Sequence, residues 1–308
     1  MSQQPDPPSI SPVIRAFFDE PTNTISYLVA DPATGEAAII DPVLDFDVAS
    51  GKGGVKSARK ILDYAGQYGW RIVIVLETHA HADHLSAAPY IKAMTGAPIG
   101  IGEHIKDVQK IFRPVFALND MKTDGSDFDR LLRDGDKFSI GQLIVTVLHV
   151  PGHTPADVAY NIRANHIDSG EDSDVLFVGD TLFMPDYGTA RTDFPGGDAR
   201  TLYRSIRRVL SFPDDTRLFL CHDYKAPGRD DYRWETTVGE EKRNNIHVHE
   251  GVSEDEFVAM REARDATLVV PKLLLPSIQV NIRAGQLPVA EANGVSYLKI
   301  PIQIETDA

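Results

Sequence analysis

The sequence predicts a fold in which strands and helices alternate and the strands form mixed sheets. Apolar runs with strand-like composition alternate with segments whose apolar residues have helical spacing. The runs 25–31 and 36–42 flank the short segment Pro32–Gly35, which is typical of a hairpin. A hairpin joins antiparallel strands, and it therefore indicates mixed sheets rather than a single parallel sheet. Four later apolar runs end on metal-binding residue types, so the same sheets are expected to carry a metal site.

The remaining elements follow from local patterns. Segment 57–69 has apolar residues at positions 61, 62 and 65 and ends in Gly69, a common helix stop. Segment 198–212 places its apolar residues on one stripe of a helix. Ser253 and Glu256 form a predicted capping box before a further helix. Helices are also predicted at 85–96 and 105–112, and a strand pair at 137–140 and 142–150.

Four apolar runs end on residues whose side chains bind metal ions. The runs are 71–77, 142–150, 174–178 and 217–220, and the residues that follow them are His79, His81, Asp83, His84, His153, Asp180, Cys221, His222 and Asp223. If neighbouring strands end side by side, these side chains meet at one sheet edge. Imidazole and carboxylate together suit zinc, iron, manganese or nickel. A metal site assembled from distant parts of the chain is therefore predicted.

Spacing within the first of these segments predicts orientation. In extended backbone, side chains two residues apart point the same way, so His79, His81 and Asp83 are expected on one face. His84 faces away until the chain turns. The helix predicted at 85–96 would place Asp83 and His84 at its start, where an acidic side chain is favoured.

Composition restricts the partners of the chain. The 308 residues are 42% hydrophobic, enough for a sizeable core, and this length allows one large domain or two small ones. Lys and Arg total 31 against 45 Asp and Glu, and the net charge of −14 disfavours nucleic acid or an anionic membrane as partner. No run approaches the ~18 apolar residues of a membrane-spanning helix. Residues 1–12 show no targeting segment and are predicted to be a flexible tail, with 13–308 as a single domain whose C-terminal extension begins near residue 225.

The single cysteine, Cys221, excludes an intrachain disulfide. It ends an apolar run, so a small buried side chain is its predicted role. The adjacent His222 keeps a redox or substrate-proximal role open. This cysteine usage fits a reducing compartment, and a cytoplasmic location is predicted.

These motifs resemble those of the metallo-β-lactamase superfold. The matching residues are T-H-A-H-A-D-H at 78–84, P-G-H-T-P at 151–155, Gly179-Asp180 and the late His222. The resemblance implies a four-layer αββα sandwich, in which two mixed β-sheets pack face to face with helices outside and the metal at one edge. The segment Gly188–Phe194, followed by a helix and by His222-Asp223-Tyr224, is similar to the persulfide dioxygenases (ETHE1-like enzymes), which oxidise glutathione persulfide to sulfite.

The persulfide dioxygenase resemblance implies one Fe(II) per chain, held by His79, His153 and Asp180. Two imidazoles and one carboxylate form a facial triad that leaves coordination positions open. The reactants implied are O2 and a low-molecular-weight thiol persulfide such as glutathione persulfide. In this interpretation four other side chains orient the ligands or bind iron-bound water, namely His81, Asp83, His84 and His222.

A dinuclear zinc site is the alternative. Every position that it needs is present: His79, His81 and His153 for one ion, Asp83, His84 and His222 for the other, and Asp180 between them. Two zinc ions would activate water for hydrolysis of a thioester or a lactone, as in glyoxalase II-like enzymes. The motif alone leaves one iron and two zinc ions both open.

The resemblance also implies that Arg191 and Tyr224 line the substrate site. An arginine fork suits a carboxylate of the thiol carrier. The alternatives are an ion pair of Arg191 with Asp193 or Asp186, and a Tyr224 that only covers the core. The chain departs from the family where its downstream segment lacks a final arginine, so the thiol carrier could differ from glutathione. Alternatively, the pocket could be rebuilt by Arg229, Arg233, Lys242 or Arg243.

The remaining histidines are predicted to be structural: exposed at His247 and His249, in the core or behind a ligand at His149, and in loops at His104 and His166. Segment 271–288 is apolar enough to pack on the domain or on an identical subunit. A homodimer built on this segment and a sulfurtransferase that delivers sulfur are the open partner predictions.

Overall fold

The computed structural model describes residues 11–164, 174–302 and 304. Most of the predicted tail and His166 lie outside the described residues. The strands are β1 (Val13–Asp19), β2 (Thr24–Ala30), β3 (Glu36–Ile40), β4 (Val43–Asp47), β5 (Lys52–Gly54), β6 (Arg71–Leu76), β7 (Leu85–Ser86), β8 (Ile99–Gly102), β9 (Arg130–Leu132), β10 (Lys137–Ile140), β11 (Leu143–His149), β12 (Val158–Ala164), β13 (Val175–Phe177), β14 (Arg217–Phe219) and β15 (Glu235–Thr237). The helices are α1 (Lys56–Gln67), α2 (Ala88–Thr95), α3 (Ile105–Val115), α4 (Ala199–Val209), α5 (Val238–Asn244), α6 (Glu254–Asp265) and α7 (Leu274–Asn281).

Both large sheets are mixed, as the sequence predicts. The first has the order β1-β2-β3-β6-β8-β9, with antiparallel pairing up to β3 and parallel pairing from there on. The second has the order β10-β11-β12-β13-β14-β15, and only its β13–β14 pair is parallel. A small three-stranded sheet, β5-β4-β7, lies beside them. The hairpin predicted at 25–42 is the β2–β3 pair.

Three apolar clusters define four layers. Between the sheets, Tyr27 of the first sheet meets Phe177 of the second with ring centroids 5.1 Å apart. Outside the first sheet, α1, α2 and α3 bury residues such as Ile61 against the strands. Outside the second sheet, α4 and α6 bury residues such as Leu202 and Phe257. Apolar burial of this kind is the main stabilising term in folding. The order helix, sheet, sheet, helix confirms the αββα sandwich that the resemblance implies.

Local capping explains where two of these helices begin. The Asp198 side chain accepts a hydrogen bond from the Thr201 amide at the start of α4. Ser253 and Glu256 form the predicted capping box at the start of α6. Each cap satisfies amide groups that the first helical turn leaves without a partner.

None of the described helices combines the length and apolar composition needed to cross a bilayer.

The helix predicted at 85–96 is wrong at its start. It begins only at Ala88, because the two residues of β7 come first and pair with β4. Asp83 and His84 therefore lie ahead of a strand and not at a helix N-terminus. The predicted stop is confirmed, since Gly96 has a left-handed φ of 75°.

The prediction of an exposed His247 is also wrong. Its side chain is buried, and its ring Nδ1 accepts a hydrogen bond from the Thr189 amide at 3.1 Å. Burial lowers the pKa of His247 to about 4, so the ring is neutral at pH 7. The packing is close: a Cβ on Gly188, which has a φ of +102°, would lie 2.1 Å from His247 Nδ1. The buried His247 ring therefore supports the loop that carries Arg191. His249, two residues later, is exposed as predicted.

Candidate metal centre

The predicted metal ligands meet at one edge of the sandwich. The loop after β6 carries His79, His81, Asp83 and His84, and the loops after β11, β13 and β14 carry His153, Asp180 and His222. All of these side chains are buried or nearly so. Their ligand atoms include two adjacent clusters of three residues each, which share no residue.

The first cluster contains His79, His153 and Asp180, whose ligand atoms all lie within 4.8 Å of one another. Asp180 Oδ2 lies 3.5 Å from His153 Nε2 and 3.9 Å from His79 Nε2. Among the described residues, His79 Nε2 has no hydrogen-bond partner although it is fully buried. A buried polar atom without a partner is uncommon, so these atoms are well placed to share an ion.

Neighbouring groups orient the rings of the first cluster. His153 Nδ1 donates to the Arg191 carbonyl at 2.8 Å, and His79 Nδ1 lies 3.0 Å from Thr78 Oγ1. With Nδ1 engaged in this way, Nε2 is left free to bind a metal ion. Burial holds the pKa of His79 well below its usual range, so its ring is neutral, the form that binds metals.

The second cluster contains His81, Asp83 and His222, again with ligand atoms within 4.8 Å of one another. His222 Nε2 lies 3.6 Å from Asp83 Oδ2 and 3.4 Å from Asp180 Oδ1, so Asp180 lies between the two clusters. Asp83 Oδ2 accepts a hydrogen bond from Thr24 Oγ1 at 2.9 Å. Burial alone would raise the pKa of Asp83, but His222 and His84 hold it well below its usual range, and the carboxylate stays ionised.

Two acidic residues that the sequence analysis did not select contact His81. His81 Nε2 lies 3.0 Å from Asp41 Oδ1 and 3.5 Å from Glu77 Oε2. Asp41 also accepts hydrogen bonds from the amide and the hydroxyl of Thr78, at 2.7 and 2.8 Å. Burial raises the pKa of Glu77 to about 6. Each of these acids directly follows an apolar strand, which is the same signal that selected the metal ligands.

Cys221 is buried as predicted, but its thiol contacts a carboxylate. Its Sγ lies 2.7 Å from Asp180 Oδ1. Burial and the nearby Asp180 raise the pKa of the thiol well above its usual range, so it stays protonated and donates. Asp180 Oδ1 thus has a protein donor, while Oδ2 faces the two histidines of the first cluster.

A cavity of about 880 Å³ opens above the metal centre. His153, Asp180 and Asp83 lie among its lining residues. Arg191 and Tyr224 line it as well, so both predicted substrate residues border the space next to the metal ligands.

The guanidinium of Arg191 is already engaged. Its Nε and Nη2 donate to Asp193 at 2.5 and 2.6 Å, and its Nη1 donates to the Val269 carbonyl at 2.8 Å. The ion pair with Asp193, considered from sequence as an alternative, is therefore present. The alternative partner, Asp186, instead binds Arg229.

The C-terminal extension supplies one wall of the cavity, which the sequence analysis did not predict. Its lining residues include Arg261, Arg264, Leu268, Val269 and Lys272. Among the described residues, Arg264 and Lys272 have no hydrogen-bond or ion-pair partner for their side-chain nitrogens, whereas Arg261 is paired with Asp265 at 2.6 Å. Two unpaired cations therefore border a cavity whose floor carries the metal ligands.

Comparison with known proteins identifies the family. Residues 20–222 match the Metallo-beta-lactamase superfamily. The chain belongs to this superfamily. A probable metallo-hydrolase of Burkholderia pseudomallei (strain 1710b) is 54% identical over 94% of this chain and 98% of that protein. A beta-lactamase hydrolase-like protein of Agrobacterium fabrum is 52% identical over 95% of this chain, which spans only 65% of the length of that relative.

More distant members of the superfamily carry names from two enzyme classes, dioxygenases and hydrolases. The crystal structure of ETHE1 from Myxococcus xanthus is 30% identical, with a TM-score of 0.69, and covers 89% of this chain and 100% of its own. Human mitochondrial persulfide dioxygenase ETHE1 is 26% identical over 90% of this chain and 91% of that protein. A hydroxyacylglutathione hydrolase of Methylobacterium sp. (strain 4-46) is 31% identical over 69% of this chain and 67% of that protein. The likeness to ETHE1 thus extends beyond residue 222, into the C-terminal extension.

Proposed function

We propose that this chain is a mononuclear non-haem iron dioxygenase that oxidises a low-molecular-weight thiol persulfide to sulfite. The first cluster carries the proposal, because two imidazoles and one carboxylate converge within 4.8 Å at the floor of a cavity. The balanced reaction takes persulfide, O2 and water to thiol, sulfite and two protons. The likeness to ETHE1 along most of the chain supports the same assignment.

The residues of the first cluster fit one ferrous ion. His79, His153 and Asp180 would hold it from one side, in the facial arrangement that suits iron oxygenases. A ferrous ion there would supply redox chemistry and open coordination positions for O2 and sulfur, whereas zinc has no redox chemistry. His153 and Asp180 border the cavity and His79 lies behind them, so substrate approaches from the His153 side.

The cavity supports an anionic thiol carrier as substrate. Its volume of about 880 Å³ lies within the range that small-molecule sites occupy. Since the donors of Arg191 are engaged, we assign the carboxylates of the carrier to Arg264 and Lys272, with Tyr224 beside the carrier. The sulfur end would then point towards Asp180. A glutathione-like persulfide has the required carboxylates and length.

The test compares the metals directly. The full-length protein, loaded anaerobically with one Fe(II) per chain, should consume O2 and release sulfite when glutathione persulfide is added. The same protein loaded with zinc should do neither. A silent protein with verified iron content would contradict the proposal.

A dinuclear zinc hydrolase is the second candidate, favoured by the second cluster. His81, Asp83 and His222 offer a complete second set of ligand atoms, with Asp180 between the two clusters. In this case His84 would add its unpaired Nε2. Two zinc ions per chain, together with turnover of S-lactoylglutathione, would support this candidate and remove the first.

A further inference from the structure

A buried side chain of the C-terminal extension contacts the metal-binding loop, which is defined as residues 77–86 and runs from the end of β6 through β7. Asn281, the last residue of α7, lies outside the residues that match the superfamily and is buried. Its Nδ2 donates to the carbonyls of His81 and His84 at 2.8 and 2.7 Å. Its Oδ1 accepts a hydrogen bond from the Ser86 amide at 2.9 Å. One amide group thus binds three backbone groups of the loop, about 200 residues away in sequence.

The loop depends on such a partner. Between β6 and β7 the chain has no regular secondary structure, so its carbonyls do not belong to a strand ladder. Buried carbonyls without a hydrogen bond are energetically costly. The two carbonyls that Asn281 binds lie on either side of Asp83, so the amide fixes the backbone that carries His81, Asp83 and His84.

The turn after α7 packs directly against the same region. Gly285 has a φ of +81°, and a Cβ there would lie 2.8 Å from the Ser86 carbonyl oxygen and 2.6 Å from Pro89 Cδ. Only glycine allows this approach without displacing the loop. The end of α7 is therefore held against the metal-binding loop by close packing as well as by hydrogen bonds.

We propose that Asn281 is a positioning residue of the metal centre, through which the C-terminal extension sets the geometry and affinity of metal binding. The carboxamide is suited to the task because it offers two donors to two carbonyls and one acceptor to an amide. A carboxylate of the same shape would place an acceptor against a carbonyl oxygen. The proposal is independent of which reaction the centre performs.

The test uses a matched pair of variants on one helix. Asn281→Asp removes the donors while keeping the shape. Gln279→Glu is the control, because Gln279 is also buried on α7 and donates to the Leu275 and Lys299 carbonyls at 2.7 and 2.8 Å. Gln279 also accepts from the Lys299 amide at 2.8 Å, and among the described residues it makes no hydrogen bond to the metal-binding loop. The two side-chain amides thus make the same kinds of hydrogen bond, Asn281 to the metal-binding loop and Gln279 to segments away from it.

Metal binding is measured without turnover. The full-length protein is titrated with Co(II) and its visible absorption spectrum recorded, and Fe(II) affinity is measured by competition with a chelator. Asn281→Asp should weaken Fe(II) binding by ~10–100-fold, the range for groups that orient metal ligands, and should change the Co(II) spectrum. Gln279→Glu should lower thermal stability only.

If Asn281→Asp does not fold, Asn281→Ser, which keeps one donor, is measured instead, and an intermediate loss of affinity is expected. Unchanged affinity and spectrum in a folded Asn281 variant would overturn the proposal. An equal loss in Gln279→Glu would also overturn it, because the effect would then come from helix stability. Since no substrate is used, failure here is distinguishable from failure of the proposed dioxygenase activity.

Discussion

The two clusters of the metal centre differ in how far the protein itself satisfies their ligand atoms. In the first cluster, Asp180 Oδ2 faces only His79 and His153, at 3.9 and 3.5 Å, among the residues that the structure describes. In the second cluster, Asp83 Oδ2 accepts a hydrogen bond from Thr24 at 2.9 Å and lies 3.1 Å from His84 Nδ1. Asp83 Oδ2 therefore has a hydroxyl donor that Asp180 Oδ2 lacks, whereas the other Asp180 oxygen, Oδ1, is hydrogen-bonded to the Cys221 thiol.

This difference bears on the number of ions. Burying a charged carboxylate is unfavourable unless it is paired and hydrogen-bonded. Asp83 meets that condition largely with protein groups, whereas Asp180 Oδ2 does not, although His81 Nε2 and His222 Nε2 of the second cluster also lack a hydrogen-bond partner among the described residues. We therefore expect one ion in the first cluster, with the second cluster as a hydrogen-bonded support beside it.

The largest effect is expected from Asp180→Asn. The substitution removes the only carboxylate of the first cluster, so the protein should retain on the order of a tenth or less of its iron. Asp83→Asn is the matched change in the second cluster and should leave about one iron per chain, since the first cluster is intact. Metal content after anaerobic loading is measured by elemental analysis. Equal metal loss in both variants would remove the asymmetry.

The next effect concerns the thiol that contacts Asp180. Cys221→Ala removes the donor to Asp180 Oδ1, and iron affinity should fall by about tenfold because the carboxylate is less firmly oriented. Cys221→Ser keeps a donor and should retain most of the affinity. Competition with a chelator measures both. If the alanine variant binds iron as tightly as the parent protein, the thiol is only a packing group.

The parts of the site that sequence predicts best are those set by strand ends. His79, His153 and Asp180 each follow an apolar run, and neighbouring strands of a sandwich bring their ends together. The mixed sheets were predictable for a similar reason, because an early hairpin forces antiparallel pairing. Asp41 and Glu77 also directly follow apolar strands, so the same signal marks them as candidates for this edge of the sandwich.

The contacts of the C-terminal extension were not predictable from local patterns. Asn281 binds a loop some 200 residues away, and nothing in its neighbourhood in sequence marks the contact. Arg264 near the end of α6 and Lys272 in the segment after it border the cavity only because this part of the chain packs beside the metal centre. The sequence around His247 likewise indicates a surface residue, whereas in the fold the loop at Gly188 covers its ring. Contacts of this kind depend on how distant segments pack, which spacing and composition do not encode.

The cavity wall should affect substrate binding at the open side of the first cluster and leave metal binding unchanged. Replacing Arg264 and Lys272 together by alanine should raise KM for glutathione persulfide by about 3- to 10-fold with little change in kcat, the modest size reflecting solvent exposure. Iron content should stay the same. Lys60→Ala, on the exposed side of α1, is the control and should change neither constant. An unchanged KM would place the carrier elsewhere in the cavity.

The smallest effect on the metal site is expected from Thr24→Val, which removes the hydroxyl donor to Asp83 Oδ2 while keeping the shape of the side chain. Losing a hydrogen bond to a charged group should lower the free energy of unfolding by about 1.5–3 kcal/mol, measured by urea denaturation of the apoprotein. Because the hydroxyl contacts Asp83 of the second cluster and no residue of the first is changed, the iron content should remain at one per chain and O2 consumption should change little.

Thr34→Val provides the comparison for that variant. Thr34 Oγ1 donates to Asp31 at 2.7 Å in the β2–β3 turn, away from the metal ligands. It should therefore reduce stability by a smaller amount, because Thr34 is exposed, and leave metal binding unaltered. If Thr24→Val instead lost iron while Thr34→Val did not, the second cluster would be part of the iron site. The asymmetry between the clusters would then have to be abandoned in favour of a centre in which Asp83 and Asp180 act together.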